Sequence, residues 1–141
     1  MFNPTRDQAR QFLIDAWRKR REKLPATPLE TIAADIVELH PEYQPLLTSG
    51  SDTLEKEWTP DQGDTNPFLH LSLHLAIAEQ LSIDQPPGIR AAYDGMLARH
   101  GDRHHALHSI LDCLSETIWR AQRDRTTPDG EAYLECILRA V

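Results

Sequence analysis

The chain reads as an all-α protein, a single-domain helical bundle of five to six helices over residues 1–141. Three observations predict this. Apolar residues recur at three- and four-residue steps through most of the chain. No stretch alternates apolar and polar residues long enough to make a strand. A capping residue followed by proline recurs at Asn3-Pro4, Thr27-Pro28, Asn66-Pro67 and Thr127-Pro128. The capping side chain accepts an orphan backbone N–H, and proline at the first helical position gives up an N–H that has no partner there.

The first helix follows Asn3 and carries Phe12, Leu13, Ala16 and Trp17 on one face. The second follows Thr27, where Thr27-Pro28-Leu29-Glu30 reads as a capping box. It carries Leu29, Ile32, Ala33 and Ile36, and Pro41 ends it. The third runs from about Pro67 to Leu81. A fourth starts near Pro87, carries Ile89, Ala92, Tyr93, Met96 and Leu97, and stops at Gly101. The fifth is long, starting near Asp102 with Leu107, Leu111, Leu114, Ile118 and Ala121. A short last helix, expected from Thr127-Pro128, carries Tyr133, Leu134, Ile137, Leu138 and Val141. Residues 48–65 have no period and are rich in Ser, Thr, Gly and Asp, so they read as one long loop, with Trp58 packing its middle down.

Composition narrows the function classes. A 141-residue chain buries enough surface to fold without disulfide staples. Its two cysteines, Cys113 and Cys136, form no disulfide framework and fit a reducing compartment. Arg6, Asp7, Arg10, Asp15 and Arg18 break up the first twenty residues, so no signal-peptide core is present, and no apolar run is long enough for a membrane span. With 15 Lys+Arg against 22 Asp+Glu, the net charge of −7 disfavours nucleic acid as a partner. The charge is uneven: residues 1–24 carry +4 and the remainder −11. The run Arg18, Lys19, Arg20, Arg21 complements the end of the first helix dipole, and alternatively docks an acidic protein partner. A homo-oligomer stays open. There is no GxGxxG, no GxxxxGK[ST] and no GxSxG, so no nucleotide cofactor and no hydrolase elbow are expected.

The histidines carry the only candidate chemistry. His70/His74 and His104/His108 have i, i+4 spacing on the third and fifth predicted helices, which sets two imidazoles one turn apart on one face. At about 100° per residue from His70, His74 lies near 40° and Ile77 near 340°, the apolar side. Imidazoles facing a core need partners or cost about 1–3 kcal/mol each, and a metal is one such partner. His104 and His108 fall on the flank of their apolar stripe. Asp112, one turn after His108, can orient that ring or bind metal itself, and Glu116 lies a turn further on. If the two helices face one another, the pairs supply four nitrogen ligands for one divalent transition metal, zinc first and iron next. Four ligands close the site; three leave a position for water and for hydrolytic or redox chemistry. The pattern is neither HExxH nor Glu-x-x-His, which argues against a metalloprotease and a carboxylate-bridged pair of metals. The competing reading is a metal-free interaction module with an acidic body and a basic end on the first helix.

One family resemblance covers almost the whole chain. It is carried by Asn3-Pro4 through Trp17-Arg18, Leu39-His40-Pro41-Glu42-Tyr43, Thr65-Asn66-Pro67-Phe68-Leu69-His70-Leu71-Ser72, His74-Leu75-Ala76-Ile77, Glu79-Gln80-Leu81-Ser82 and Asp84-Gln85-Pro86-Pro87-Gly88-Ile89-Arg90. It continues through Arg99-His100-Gly101, His108, Ile118-Trp119 and Tyr133-Leu134-Glu135-Cys136. These residues resemble the bacterial family called domain of unknown function 1841. The resemblance implies a bacterial, cytoplasmic protein, and it brings no activity and no catalytic residue with it.

Overall fold

In the computed structural model, residues 6–48 and 66–141 are described, and the expected loop lies outside them apart from Thr48, as do Trp58 and the Asn3-Pro4 cap. The described residues form seven α-helices and no strand: α1 (Arg6–Glu22), α2 (Pro28–Glu38), α3 (Gln44–Thr48), α4 (Pro67–Ile83), α5 (Ile89–His100), α6 (Arg103–Asp124) and α7 (Gly130–Ala140). The helix count exceeds the expected five to six because of α3. It is a five-residue helix entered through the 3-10 turn Pro41–Tyr43, too short to show a period in sequence. No helix among the described residues is long and apolar enough to cross a membrane.

The chain divides into two compact units, Met1–Leu75 and Ala76–Val141, and α4 begins in the first and ends in the second. In the first unit, α1 buries Leu13, Ile14, Ala16 and Trp17 in one cluster with Ala33, Ala34, Ile36 and Val37 of α2, Leu47 of α3, and Phe68 and Leu71 of α4. The Thr27 capping box forms as its sequence requires. Thr27 Oγ1 accepts from the Glu30 N–H at 3.2 Å, and the Glu30 carboxylate accepts from the Thr27 N–H at 2.9 Å. The other Glu30 oxygen takes Lys19 Nζ of α1 at 2.6 Å, tying the two helices together. Lys19 first and the Thr27 N–H next hold the Glu30 carboxyl down at about 2.

In the second unit, α5 contributes Ile89, Ala92 and Met96 to the buried set, α6 contributes Ala106, Leu107, Ile110, Leu111 and Leu114, and α7 contributes Tyr133 and Ile137. Gly101 closes α5 with φ 68°, a left-handed conformation that a side chain would oppose. The Asp102 side chain then caps α6 through the His104 N–H. Tyr133 donates its hydroxyl to Gln80 Oε1 of α4 at 2.7 Å, and burial pushes its phenol pKa upward.

Two sequence expectations are corrected here. The last helix starts at Gly130 and not at Thr127-Pro128, because Asp129 takes the capping role. Its Oδ1 accepts from both the Glu131 and Ala132 N–H groups at 3.1 Å, and Thr127-Pro128 stays in the connection. The cysteines, read as suited to a reducing compartment, are joined by a disulfide between α6 and α7. The pairing follows from helix packing, which brings two Cα atoms 23 residues apart in sequence to 5.8 Å, within bridging range.

Candidate metal centre

The first unit gathers three imidazoles, two from the expected pair and one from a residue outside it. Asn66 caps α4, accepting the Leu69 N–H through Oδ1 at 3.1 Å, while its carbonyl takes the His70 N–H. His70 therefore stands in the first turn of α4 and His74 one turn later. His74 is 3% exposed and His70 is half-buried, on the apolar side as the periodicity requires. The third ring is His40, 1% exposed, in the break between α2 and the 3-10 turn. Pro41 disfavours helical geometry at His40, and φ −127°, ψ 69° turns the residue out of the helix.

The three ring centroids form a nearly equilateral triangle: 4.9 Å from His40 to His70, 4.7 Å from His40 to His74, and 4.8 Å from His70 to His74. The rings are tilted against one another by 61° to 74°, like blades about a common axis. His70 Nε2 lies 3.1 Å from His40 Nε2 and 3.2 Å from His74 Nε2. One nitrogen from each of the three rings lies within 4.8 Å of the others.

His40 is held in a defined tautomer. Its Nδ1 lies 2.8 Å from the Ile36 carbonyl, which can only accept, so Nδ1 carries the proton. In that tautomer Nε2 is the accepting nitrogen, and it faces His70 Nε2 at 3.1 Å. One ring nitrogen donating to a carbonyl is also what orients metal-binding histidines. Tyr43 walls the cluster, stacked on His40 at 5.5 Å with planes 3° apart and edge-on to His70 at 5.8 Å. Burial, and then the nearby Glu42 charge, raise the Tyr43 phenol pKa.

The second HxxxH pair lies on α6 in the second unit. His104 and His108 are half-buried, and their ring centroids are 4.0 Å apart. His105 is exposed and meets His100, ring centroids 4.6 Å apart. Asp112 and Glu116 are exposed, and Glu116 pairs with Arg120 at 2.6 Å.

The basic run meets acids of its own unit. Arg18 pairs with Glu22 along α1, Lys19 with Glu30, and Arg20 with both Asp35 and Glu38 of α2. Hydrogen bonds to those two carboxylates raise the Arg20 pKa. Among the described residues Arg21 has no such acid, and two of the four cations, Lys19 and Arg20, are spent across the α1–α2 seam.

His40 is the residue that sequence reasoning missed. It has no partner at helical spacing, and periodicity carries no information at a helix break. The available signal was local: a histidine directly before the proline that ends α2.

A family model described as Domain of unknown function (DUF1841) matches residues 5–139. No curated protein and no solved structure matches the chain.

Proposed function

The chain belongs to the DUF1841 family, whose description names no activity, and on that premise we propose that the protein binds one divalent transition metal, zinc first and iron next, through Nε2 of His40, His70 and His74. One observation carries the reading. His70 Nε2 faces two other imidazole nitrogens at 3.1 and 3.2 Å. A ring nitrogen has a single site, filled either by one proton or by one lone pair. A single proton there can be donated along a straight line to only one of the two neighbours. A cation among the three lone pairs satisfies all of them together. Nitrogens about 2.0–2.1 Å from one zinc at a tetrahedral angle stand about 3.3–3.4 Å apart, close to the separations found here.

Three imidazoles leave a fourth position. The second HxxxH pair enters the proposal on its spacing alone, with His108, a turn ahead of Asp112, as the donor to test first. An all-nitrogen set with a borderline metal suits zinc, and it also accepts iron, copper or nickel.

The test is a zinc titration of metal-free protein by calorimetry, beside His74→Ala. One site per chain is expected, with affinity reduced at least about a hundredfold in the variant, beyond the loss typical of residues that merely orient a ligand. Equal affinity in both proteins contradicts the proposal.

A further inference from the structure

The second unit holds a reactive element that the metal reading does not use. The disulfide joins Cys113 of α6 to Cys136 of α7, and its two sulfurs have different surroundings. Cys113 is 5% exposed, whereas Cys136 is partly open to solvent and lines a cleft of about 410 Å³. Arg120, Arg123 and Arg139 also line that cleft. Arg120 and Arg123 are paired with Glu116 and Asp124. Asp129 is engaged with the start of α7. Arg139 sits one turn beyond Cys136 on the same helix and has no ion pair among the described residues. The open sulfur therefore has an uncommitted cation next to it.

The bridge is not the sole anchor of α7 among the described residues. Tyr133 and Ile137 are buried, and the Tyr133 hydroxyl reaches Gln80. A bridge reachable at one sulfur meets the access requirement for thiol–disulfide exchange.

We propose that Cys136 is a thiol-exchange and modification site for a small acidic thiol of the glutathione class. The attacking thiolate forms a bond to Cys136 Sγ, the Cys113–Cys136 bond breaks, and Cys113 leaves with the electron pair and takes a proton from solvent. A second thiolate then attacks the outer sulfur of the mixed disulfide, forming the small-molecule disulfide and freeing Cys136 as a thiol. The protein gains two electrons and two protons, and two small thiols lose them. Arg139 receives a carboxylate of the attacking molecule. Because Cys113 stays beside Cys136, their Cα atoms 5.8 Å apart, it re-attacks the mixed disulfide and the adduct is short-lived in the native chain.

The experiment uses the full-length oxidised protein in millimolar reduced glutathione at neutral pH, quenched by alkylation and read by peptide mass mapping. The bridge should be reduced with the helical circular dichroism unchanged. Cys113→Ser treated with oxidised glutathione should accumulate an adduct on Cys136, while Cys136→Ser leaves Cys113 unmodified. Arg139→Glu should slow reduction by glutathione several-fold and leave the rate with neutral 2-mercaptoethanol unchanged. A bridge that stays closed until the chain unfolds overturns the proposal. Equal labelling of the two cysteines in their respective variants also overturns it, as does an equal effect of Arg139→Glu on both thiols.

Discussion

His70/His74 on α4 and His104/His108 on α6 share one spacing, and in both pairs the rings come into contact, at 4.8 and 4.0 Å between centroids. Their settings differ. His74 is buried, and the first pair meets a third ring whose tautomer is fixed by a backbone carbonyl. The second pair is half-buried, and the carboxylates a turn beyond it, Asp112 and Glu116, are exposed. The HxxxH spacing brings two rings together; whether they form a ligand set depends on what the rest of the fold supplies. Beside the first pair the fold adds the His40 ring, held at the end of α2.

The sharpest test of this contrast is the order of alanine variants in zinc affinity. His40→Ala and His74→Ala should each weaken binding at least about a hundredfold, and His108→Ala on the order of tenfold as a water takes the place of one donor. His104→Ala should have the smallest effect of the four. Calorimetric titration gives this order directly, and a His104 effect as large as that of His74 breaks the comparison. In the same assay, a hundredfold excess of zinc over Kd should stabilise the native protein by roughly 2.7 kcal/mol, with Tm rising by several degrees and a chelator reversing the rise.

Much of this arrangement was legible in the sequence, and its gaps have physical causes. The α1 face of Leu13, Ala16 and Trp17, the Thr27 box and the apolar side of His70 and His74 all follow from local periodicity and capping. Those rules act within one or two turns of chain. His40 lies where the helix breaks, so no period selects it. The cations at Lys19 and Arg20 were legible as complements to a helix dipole, but their pairing with Glu30, Asp35 and Glu38 depends on how α1 and α2 pack. The same holds for the Cys113–Cys136 pairing. At α7 two local signals competed, and an Asp that accepts two N–H groups displaced a Thr-Pro pair that is equally plausible on paper.

The two units also differ in how their helices are secured, which yields smaller effects. In the second unit, Asp129→Ala should cost about 1 kcal/mol, the usual loss for a helix cap. Thr127→Ala should stay within about 0.5 kcal/mol, as surface changes do. Urea unfolding of both variants checks this, and equal losses would return the cap to Thr127. In the first unit, the Glu30 contribution should depend on acidity. Its folded pKa of about 2 lies below the ordinary 4.5, so its stabilisation is present above 4.5 and fades as pH falls towards 2. Urea midpoints of the native chain and Glu30→Gln should differ at neutral pH and converge across that window. A gap that stays constant down to pH 2 would show that the carboxylate charge is not what binds α1 to α2.

The most direct measurement of the central claim is elemental analysis of untagged protein purified without chelators, alongside His40→Ala. The account predicts about one transition metal per native chain and almost none in the variant, whose altered residue lies outside both HxxxH pairs. A native chain that holds no metal after reconstitution with zinc and with iron, or a variant that retains full stoichiometry, contradicts it.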